Sequence, residues 1–336
     1  MTTIKIYIIA AIFCLTQIIY IYAQNNPQNK PQNNPQNVLP IVLISGGILS
    51  SPTNYDCQGD INLETHHIAD WLYDNTGAKV YNIDIGQIGL DLSLGSGYAG
   101  QNANFVIPMH VQLDMLCVEI NNIAGLANGF NLIGISQGGL LARGYVEHCG
   151  KYPVKYLITL ATPHGGIYYY NFPNPNIYTP ITQANSSISN YWRDPYNYEV
   201  YLSNSSYLAI LNNEGTNHRM IEAVRYRKNM LKLAGFVMLW SPFDDVLDPP
   251  ESGKFATYRP QTSGLPLQLL DITETPEYLA DALGMQTLYN AGKIYIYETD
   301  CNHVKHASIY CLSRWSEYIL PFTSNYKPTP GGHEFY

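Results

Sequence analysis

The sequence is poor in charged residues, and most of the charge it carries is acidic. Only 13% of its 336 residues are charged, and 18 lysines and arginines stand against 26 aspartates and glutamates, for a formal net charge of -8. The few basic residues form no patch that could neutralise the phosphates of a nucleic acid, so a nucleic acid partner is excluded. Hydrophobic residues make up 46% of the chain, which excludes global disorder and predicts a large buried core.

Long apolar runs are absent from most of the chain, and the one present lies at the N-terminus. Residues 6–22 are apolar except at two positions, Lys5 precedes them, and Ala23 is a small residue suited to a cleavage site. This pattern predicts a signal peptide over residues 1–23, with an uncleaved signal anchor as the alternative. We therefore expect the remaining chain to enter the secretory lumen, with no stable membrane span after signal cleavage. The sequence does not indicate an oligomeric state.

Cysteine is also scarce, with six residues in all. Because one of them, Cys14, lies in the predicted signal peptide, an odd number remains for the lumenal part of the chain. The lumen permits disulfides, so one of these thiols stays free or pairs with another chain. The remaining cysteines are Cys57, Cys117, Cys149, Cys301 and Cys311.

Two segments at the ends of the chain have too few apolar residues to pack. Residues 24–38 are dominated by Gln, Asn and Pro and predict a disordered linker. Residues 323–336 contain two prolines and a Gly-Gly pair and predict a flexible tail. One folded domain is therefore expected over residues 39–322.

Short apolar runs alternate with helical patterns across this domain. The alternation predicts an α/β fold, with a mostly parallel sheet covered by helices on both faces. The stretch from about residue 165 to 232 breaks the alternation with Tyr, Asn and Pro, and we interpret it as an insertion, or lid, above the sheet. The predicted strands are residues 41–44, 79–83, 130–135, 156–160, 236–239 and 293–297, and the predicted helices are residues 63–73, 111–123 and 140–147.

One motif in this pattern carries chemistry. Gly134-Ile135-Ser136-Gln137-Gly138 matches G-x-S-x-G, with a predicted strand before it and a predicted helix after it. In this context the pattern predicts a nucleophile elbow, a sharp turn that exposes the Ser136 hydroxyl above the sheet. The backbone N–H of Gln137 begins the helix and can face the oxyanion of a tetrahedral intermediate.

A serine nucleophile needs a histidine base that follows it in the chain. Among the downstream histidines, His148 is expected at the surface of the helix after the elbow, and His333 lies in the tail. His164 directly follows a strand, where positioning the insertion is the expected role. His303 and His306 both lie just past the last predicted strand, where the base of this arrangement belongs.

The acid that orients this base is expected after the strand at residues 236–239. Three aspartates compete there, and any one of them could instead cap a turn. Spacing favours Asp244 over Asp245, and both of these over Asp248.

Several motifs resemble the palmitoyl-protein thioesterase family, and within it the lysosomal type-2 enzymes. The resemblance covers the chain from Pro40 to about Pro321. It is carried by the Ser136-Gln137-Gly138-Gly139 elbow and by a block running from Asn190 to Pro195, Asn-Tyr-Trp-Arg-Asp-Pro, in which Arg replaces a family His. Further ordered matches are Arg227-Lys228-Asn229, Asp244-Asp245-Val246 and the stretch from Tyr278 to Gly284.

The resemblance implies an α/β-hydrolase fold and assigns the site residues. It places the catalytic acid on Asp244 and the base on His303, and it suggests the backbone of Gln137 and Gly47 as the oxyanion hole. The chain departs from the family in having Ser45-Gly46 where a His-Gly pair is usual. The resemblance also implies the disulfides Cys117–Cys149 and Cys301–Cys311, which leaves Cys57 unpaired.

The activity implied by the resemblance is hydrolysis of a fatty-acyl thioester, either acyl-CoA or S-acyl cysteine, in lipid metabolism. The implied location is the lysosome, reached through the secretory pathway, with secretion as the alternative. No cofactor or metal is expected, because lumenal cysteines are more often paired and no second ligand cluster follows Cys301, His303 and His306. The rival activities are a lipase or carboxylesterase acting on oxygen esters and a catalytically inactive binding protein.

Two N-x-S sequons become candidate glycosylation sites if the chain enters the lumen. They begin at Asn185 and Asn204 and lie in the polar, Tyr-rich insertion. We expect this region to be exposed and both asparagines to be glycosylation sites.

Overall fold

A computed structural model of the chain describes residues 38–46, 65–85, 103–169, 171, 175–215 and 220–324. The predicted signal peptide, nearly all of the linker and most of the tail lie outside the described residues, as do Gly47 and Cys57. Thr323, assigned above to the tail, is instead buried in the last helix.

The core of the fold is a parallel sheet. Its strands pair in the order β2-β1-β3-β4-β5-β8, and every pairing is parallel. The α/β prediction is therefore confirmed, and the strand order with an elbow after β3 makes this an α/β-hydrolase fold. The strands are β1 Ile41–Ile44, β2 Val80–Ile83, β3 Phe130–Ile135, β4 Val154–Leu160, β5 Gly235–Trp240 and β8 Ile294–Glu298.

Each predicted strand is present within two residues of its predicted bounds. The central strands β1, β3 and β5 are buried along their whole length, as expected for strands covered on both faces. A second, antiparallel sheet of two short strands, β6 Thr257–Tyr258 and β7 Leu269–Leu270, was not predicted.

Successive residues of the strands face two separate hydrophobic cores. Leu132 packs in one core and Ile133 in the other, as the alternation of side chains along a strand requires. The first core includes the helices that follow β2 and β3 and part of the insertion. The second includes Ile68 from the first helix and Trp315 and Phe322 from the C-terminal helices. Helices therefore cover both faces of the sheet.

The helices vary from one turn to four. The α-helices are α1 Thr65–Thr76, α2 Ala103–Val106, α3 Met109–Asn122, α4 Gln137–Gly144, α5 Pro180–Asn185, α6 Ser187–Asn190, α7 Tyr198–Asn204, α8 Leu208–Leu211, α9 Met220–Met230, α10 Pro276–Leu279, α11 Met285–Asn290, α12 Leu312–Tyr318 and α13 Leu320–Thr323. Helix α4 continues as a π-helical turn, Tyr145–Cys149, and short 3-10 turns span Ala124–Leu126, Pro250–Lys254, Ile272–Glu274, Val304–Ala307 and Ile309–Cys311.

The described part of the insertion, residues 165–232, adds no strand to the main sheet. It consists of α5 to α9 and connecting loops, and its aromatic residues are largely buried. Ile167 forms an isolated bridge with Trp192, which brings the start of this segment against its middle. Tyr201 and Leu208 are completely buried in the first core, so these helices are an integral part of the domain.

Two disulfides are present among the described residues. Cys117 of α3 is bonded to Cys149 at the end of the π-helical turn, and Cys301 is bonded to Cys311. These are the pairs that the resemblance implied. In the part of the chain that the structure describes, no helix has both the length and the apolar character needed to cross a bilayer.

Candidate active site

Ser136 sits at the sharp turn between β3 and α4. Its backbone angles, φ 54° and ψ -128°, lie in a region that residues with side chains rarely adopt, a feature often found at functional sites. The flanking glycines make the turn possible. A Cβ on Gly134 would lie 2.5 Å from the carbonyl oxygen of Gly138, and one on Gly138 would lie 2.5 Å from that of Ser45. Neither position has room for a larger residue.

The loop after β8 brings His303 against this serine. Its Nε2 atom lies 2.8 Å from Ser136 Oγ, and its Nδ1 atom lies 2.8 Å and 3.0 Å from the two carboxylate oxygens of Asp244. His303 and Asp244 are 5% and 7% exposed. The structure thus joins the partly exposed serine to the buried histidine and aspartate in one hydrogen-bonded chain.

Asp244 follows β5, and its carboxylate is held by its own loop. The Oδ1 atom accepts the backbone N–H groups of Val246 and Leu247 at 3.0 and 2.8 Å. Burial acts to raise the pKa of Asp244, but the hydrogen bond and charge of His303 and these two N–H groups outweigh it and lower the pKa. The carboxyl therefore stays ionised into acid solution and can stabilise a protonated His303.

The other two candidate aspartates make different contacts. One carboxylate oxygen of Asp245 accepts the backbone N–H of His303 at 3.2 Å, so Asp245 contacts the main chain of His303 and not its ring. Asp248 accepts the hydroxyl of Tyr258. The geometry therefore favours Asp244 as the partner of the histidine ring.

His306 lies three residues from His303 but makes separate contacts. Its Nδ1 atom lies 3.1 Å from the carbonyl oxygen of Asn302, and its Nε2 atom lies 2.8 Å from Thr299 Oγ1. Burial lowers the pKa of His306 to about 4, with opposed smaller effects from Asp244, which raises it, and His303, which lowers it. Both ring nitrogens are occupied away from the serine, so the ring has a structural role.

Of the other three histidines that the sequence singled out, His333 lies outside the described residues, and the other two pack internally. His164 is fully buried, contacts Thr159 through Nε2 at 2.9 Å, and stacks on Phe255 with ring centroids 4.4 Å apart. Burial, together with the charge of Arg143, lowers its pKa well below the usual range. His148, expected at the surface, is half-buried and stacks on Tyr226, because the insertion helix α9 covers that side of α4.

Two backbone segments lie beside the serine, the start of α4 and the chain after β1. Gln137 is the first residue of α4, and the first N–H groups of a helix have no acceptor within the helix. The chain after β1 runs alongside the serine. A Cβ on Gly46 would lie 2.9 Å from the Cβ of Ser136 and 3.5 Å from its Oγ. Gly47, the second predicted donor, is outside the described residues.

Sequence reasoning missed the buried polar groups that surround the elbow. Arg143 pairs with Glu147 at 3.3 Å, and Arg193 pairs with Glu214 at 2.9 Å, all four side chains being almost completely buried. Arg143 and Glu147 stand out as charges in an otherwise apolar helical stretch, whereas Arg193 and Glu214 lie in loops, where no pattern marks them as buried. Among the described residues, no group of three or more His, Cys, Asp or Glu is arranged to hold a metal ion.

Known proteins share sequence similarity with this chain. The palmitoyl protein thioesterase family matches residues 40–303 of the chain. The chain is 31% identical over 227 residues to palmitoyl-protein thioesterase 3 of Dictyostelium discoideum, which covers 65% of this chain and 76% of that protein. It is 33% identical over 179 residues to lysosomal thioesterase PPT2 of Rattus norvegicus, covering 49% of this chain and 56% of that protein. The chain thus spans little more than half of the rat relative.

A solved structure is similar at the level of the fold only. The lipase BlEst2 of Bacillus licheniformis is 16% identical, with 87% of this chain and 95% of that chain covered at a TM-score of 0.39, too distant to bear on function. The family match, in contrast, extends over more than half of the chain and includes the elbow, the loop of residues 241–249 that carries Asp244 (the acid loop) and His303. The chain therefore belongs to the palmitoyl protein thioesterase family and is a thioester hydrolase.

Proposed function

We propose that this protein is a serine hydrolase of the secretory lumen that cleaves fatty-acyl thioesters, either acyl-CoA or S-acyl cysteine, through an acyl-enzyme intermediate. Ser136 is the nucleophile, His303 the base and Asp244 the acid that orients it. The observation that supports these roles is the unbroken line of contacts from Asp244 to His303 Nδ1 and from His303 Nε2 to Ser136 Oγ, each of 2.8 Å. This arrangement needs no cofactor or metal.

In the first half of the reaction, His303 Nε2 removes the proton from Ser136 as Oγ attacks the acyl carbonyl carbon. The ionised Asp244 stabilises the imidazolium that results. The backbone N–H of Gln137, with that of Gly47, donates to the oxyanion. When the tetrahedral intermediate collapses, the carbon–sulfur bond breaks, the thiolate leaves, and His303 returns the proton to sulfur.

In the second half, water replaces the thiol. His303 removes a proton from this water as its oxygen attacks the acyl carbon, and a second tetrahedral intermediate forms at the same oxyanion donors. Its collapse breaks the bond to Ser136 Oγ, which recovers its proton from His303. The products are a fatty acid and the free enzyme.

The acyl chain is expected to lie in an apolar space between the sheet and the insertion. Aromatic side chains of the insertion support this placement, because they reach the acid loop. The hydroxyl of Tyr169 donates to the carbonyl of Val246, and its ring lies 5.5 Å from that of Trp192 in an edge-on arrangement. The insertion therefore forms one wall beside Asp244.

The location we propose is the lysosome. The rat relative is named a lysosomal thioesterase, and the lowered pKa of Asp244 keeps the acid ionised in an acidic compartment. Asn185 and Asn204 are proposed as glycosylation sites, and both side chains are exposed in the insertion. The two disulfides fit passage through the oxidising secretory pathway.

A substrate panel tests the proposed activity. Purified protein is assayed on palmitoyl-CoA, a short acyl-CoA, an S-palmitoyl peptide and an oxygen ester with the same acyl chain, each beside Ser136→Ala. The proposal predicts thioester cleavage that the substitution abolishes. Cleavage of the oxygen ester alone would instead make the protein a lipase or carboxylesterase. Binding of acyl-CoA without any cleavage would make it an inactive binding protein.

A further inference from the structure

The side chain of Gln137 is buried next to the nucleophile, and all of its hydrogen-bonding positions are used. Its Nε2 group donates to the carbonyl of Asn104 at 2.8 Å and to Gln112 Oε1 at 3.0 Å. Its Oε1 atom accepts the hydroxyls of Ser187 at 2.7 Å and Tyr191 at 3.3 Å. An amide side chain has two donors and two acceptor positions, so this one is saturated.

These partners come from two separate parts of the chain. Asn104 and Gln112 belong to α2 and α3, whereas Ser187 and Tyr191 belong to the insertion. The two sides are also joined directly, because Asn190 Oδ1 accepts the backbone N–H that begins α3 at 2.7 Å. The Gln137 side chain is therefore clamped between the helices before β3 and the insertion.

Ser187 makes the shortest of these contacts and has no exposed surface. Its Oγ atom also lies 2.8 Å from the carbonyl oxygen of Asn104. Since both neighbours are acceptors, the single proton of Ser187 is shared between them, and one hydroxyl contacts both sides of the clamp. Ser187 is at the same time the third residue of the sequon that begins at the exposed Asn185. The hydroxyl that this sequon requires is thus turned into the protein interior.

We propose that Ser187, with Tyr191, is a positioning residue for the oxyanion donor. Both hydroxyls fix the Gln137 amide, which in turn fixes the backbone N–H of the same residue at the start of α4. An oxyanion donor must be held close to its productive position before the reaction, because its contribution depends on preorganisation. This inference rests on the proposed function, since it assumes that Ser136 is the nucleophile and that the Gln137 N–H faces the oxyanion.

Three variants of the full chain separate this role from glycosylation. Ser187→Ala removes both the hydroxyl and the sequon. Asn185→Gln removes the sequon and keeps the hydroxyl. Tyr191→Phe removes the second hydroxyl, keeps the ring and leaves the sequon intact. Each is produced by secretion from eukaryotic cells, and its melting temperature is compared with that of the wild type.

The readouts are kcat and KM for palmitoyl-CoA and the second-order rate at which an alkyl fluorophosphonate labels Ser136. Ser187→Ala should lower kcat and the labelling rate about 10-fold with little change in KM, less than complete loss of an oxyanion donor would cost. Tyr191→Phe, which loses a longer contact, should lower both about 3-fold, and Asn185→Gln should match the wild type. The predicted pattern assigns the effect to the hydroxyls and not to the glycan.

The inference is overturned if Ser187→Ala keeps the wild-type kcat and labelling rate, or if Asn185→Gln loses as much activity as Ser187→Ala. If Ser187→Ala fails to fold, Tyr191→Phe decides, and unchanged kcat and labelling in that variant overturn the inference. A wild type that is labelled at Ser136 but cleaves no thioester would contradict the proposed substrate class instead. The labelling rates of the variants would still test the positioning role.

Discussion

The Nε2 atom of His303 lies 2.8 Å from the hydroxyl of Ser136, although 167 residues separate the two along the chain. The parallel sheet accounts for this contact. β3, which ends at the serine, and β8, which leads to the histidine, both present their carboxyl ends at the same edge, and β5 supplies Asp244 between them. Sites in open α/β sheets form at this edge, because loops from several strands converge there.

The two neighbouring histidines should respond differently to substitution. His303→Ala should lower kcat about 10⁵-fold, because the nucleophile loses its base. His306→Ala should retain most of the wild-type kcat but lower the free energy of unfolding by about 2 kcal/mol, since it leaves Thr299 without this buried partner. The measurements are steady-state hydrolysis of palmitoyl-CoA and denaturant unfolding. Loss of activity in a well-folded His306 variant, with activity kept in the His303 variant, would reverse the assignment.

The three aspartates of the acid loop provide a second comparison. Asp244→Asn keeps the shape of the side chain but no longer offers a charge to the imidazolium, and kcat should fall about 10⁴-fold. Asp245→Asn and Asp248→Asn each keep an oxygen that can accept the contact made by the carboxylate, so both should retain kcat near the wild-type value. The three variants are assayed side by side at one pH. A loss of kcat in Asp245→Asn equal to that in Asp244→Asn would contradict the assignment of Asp244 as the catalytic acid.

Much of this arrangement could be predicted from the sequence, because it depends on local patterns. The apolar run before Ser136 and the glycines around it specify a strand, a sharp turn and a helix within a few residues. The strands at residues 41–44 and 236–239 could also be predicted from the sequence. Each is a short, continuously apolar run, which is typical of a buried strand in an α/β fold.

The contacts that complete the site could not be predicted, because they join distant segments. The residues alone make His303 and His306 equal candidates for the base, and the three-dimensional positions of their rings distinguish them. Three of the four partners of Gln137 (Asn104, Ser187 and Tyr191) lie in or next to one-turn helices, where no periodicity marks burial. The strands β6 and β7 span two residues each, which is too short for an alternating pattern to be read.

The buried pair Arg143–Glu147 should make stability depend on pH. Burial raises the pKa of Glu147 to about 8 from 4.5, while the charge and hydrogen bond of Arg143 act in the opposite direction. Burial also lowers the pKa of Arg143, so it disfavours the ionised form of both partners. Because the pKa of Glu147 is higher in the folded protein than in the unfolded chain, its contribution is complete below about pH 4.5 and is lost as the pH rises to about 8.

Glu147→Gln removes this titration and keeps the size of the side chain. Between pH 5 and pH 8 the melting temperature of the wild type should therefore fall by about 4 °C more than that of the variant. Scanning calorimetry of both proteins at three pH values and constant ionic strength measures this difference in melting temperature. Groups that titrate in both proteins contribute equally to the two curves and cancel in the difference. Parallel curves for the two proteins would show that Glu147 titrates normally in the folded state.

The disulfide Cys301–Cys311 should influence catalysis as well as stability. It closes the loop that carries His303, whereas Cys117–Cys149 joins α3 to the end of the π-helical turn, 13 residues along the chain from Ser136. Replacing either pair by alanines should cost about 3 kcal/mol in the free energy of unfolding. Only the Cys301→Ala, Cys311→Ala double variant should also lower kcat, which is measured at a temperature where both variants remain folded. Equal effects on kcat would remove the proposed link between this disulfide and the base.

The activated state of Ser136 can be measured directly by covalent labelling. The protein is treated with an alkyl fluorophosphonate, digested and mapped by mass spectrometry, beside the Ser136→Ala, His303→Ala and Asp244→Asn variants. We predict a single labelled residue, Ser136, with no label in Ser136→Ala and labelling slowed at least about 100-fold in the other two variants. Label on a different residue, or labelling of Ser136 at the wild-type rate without His303, would contradict the proposed catalytic triad.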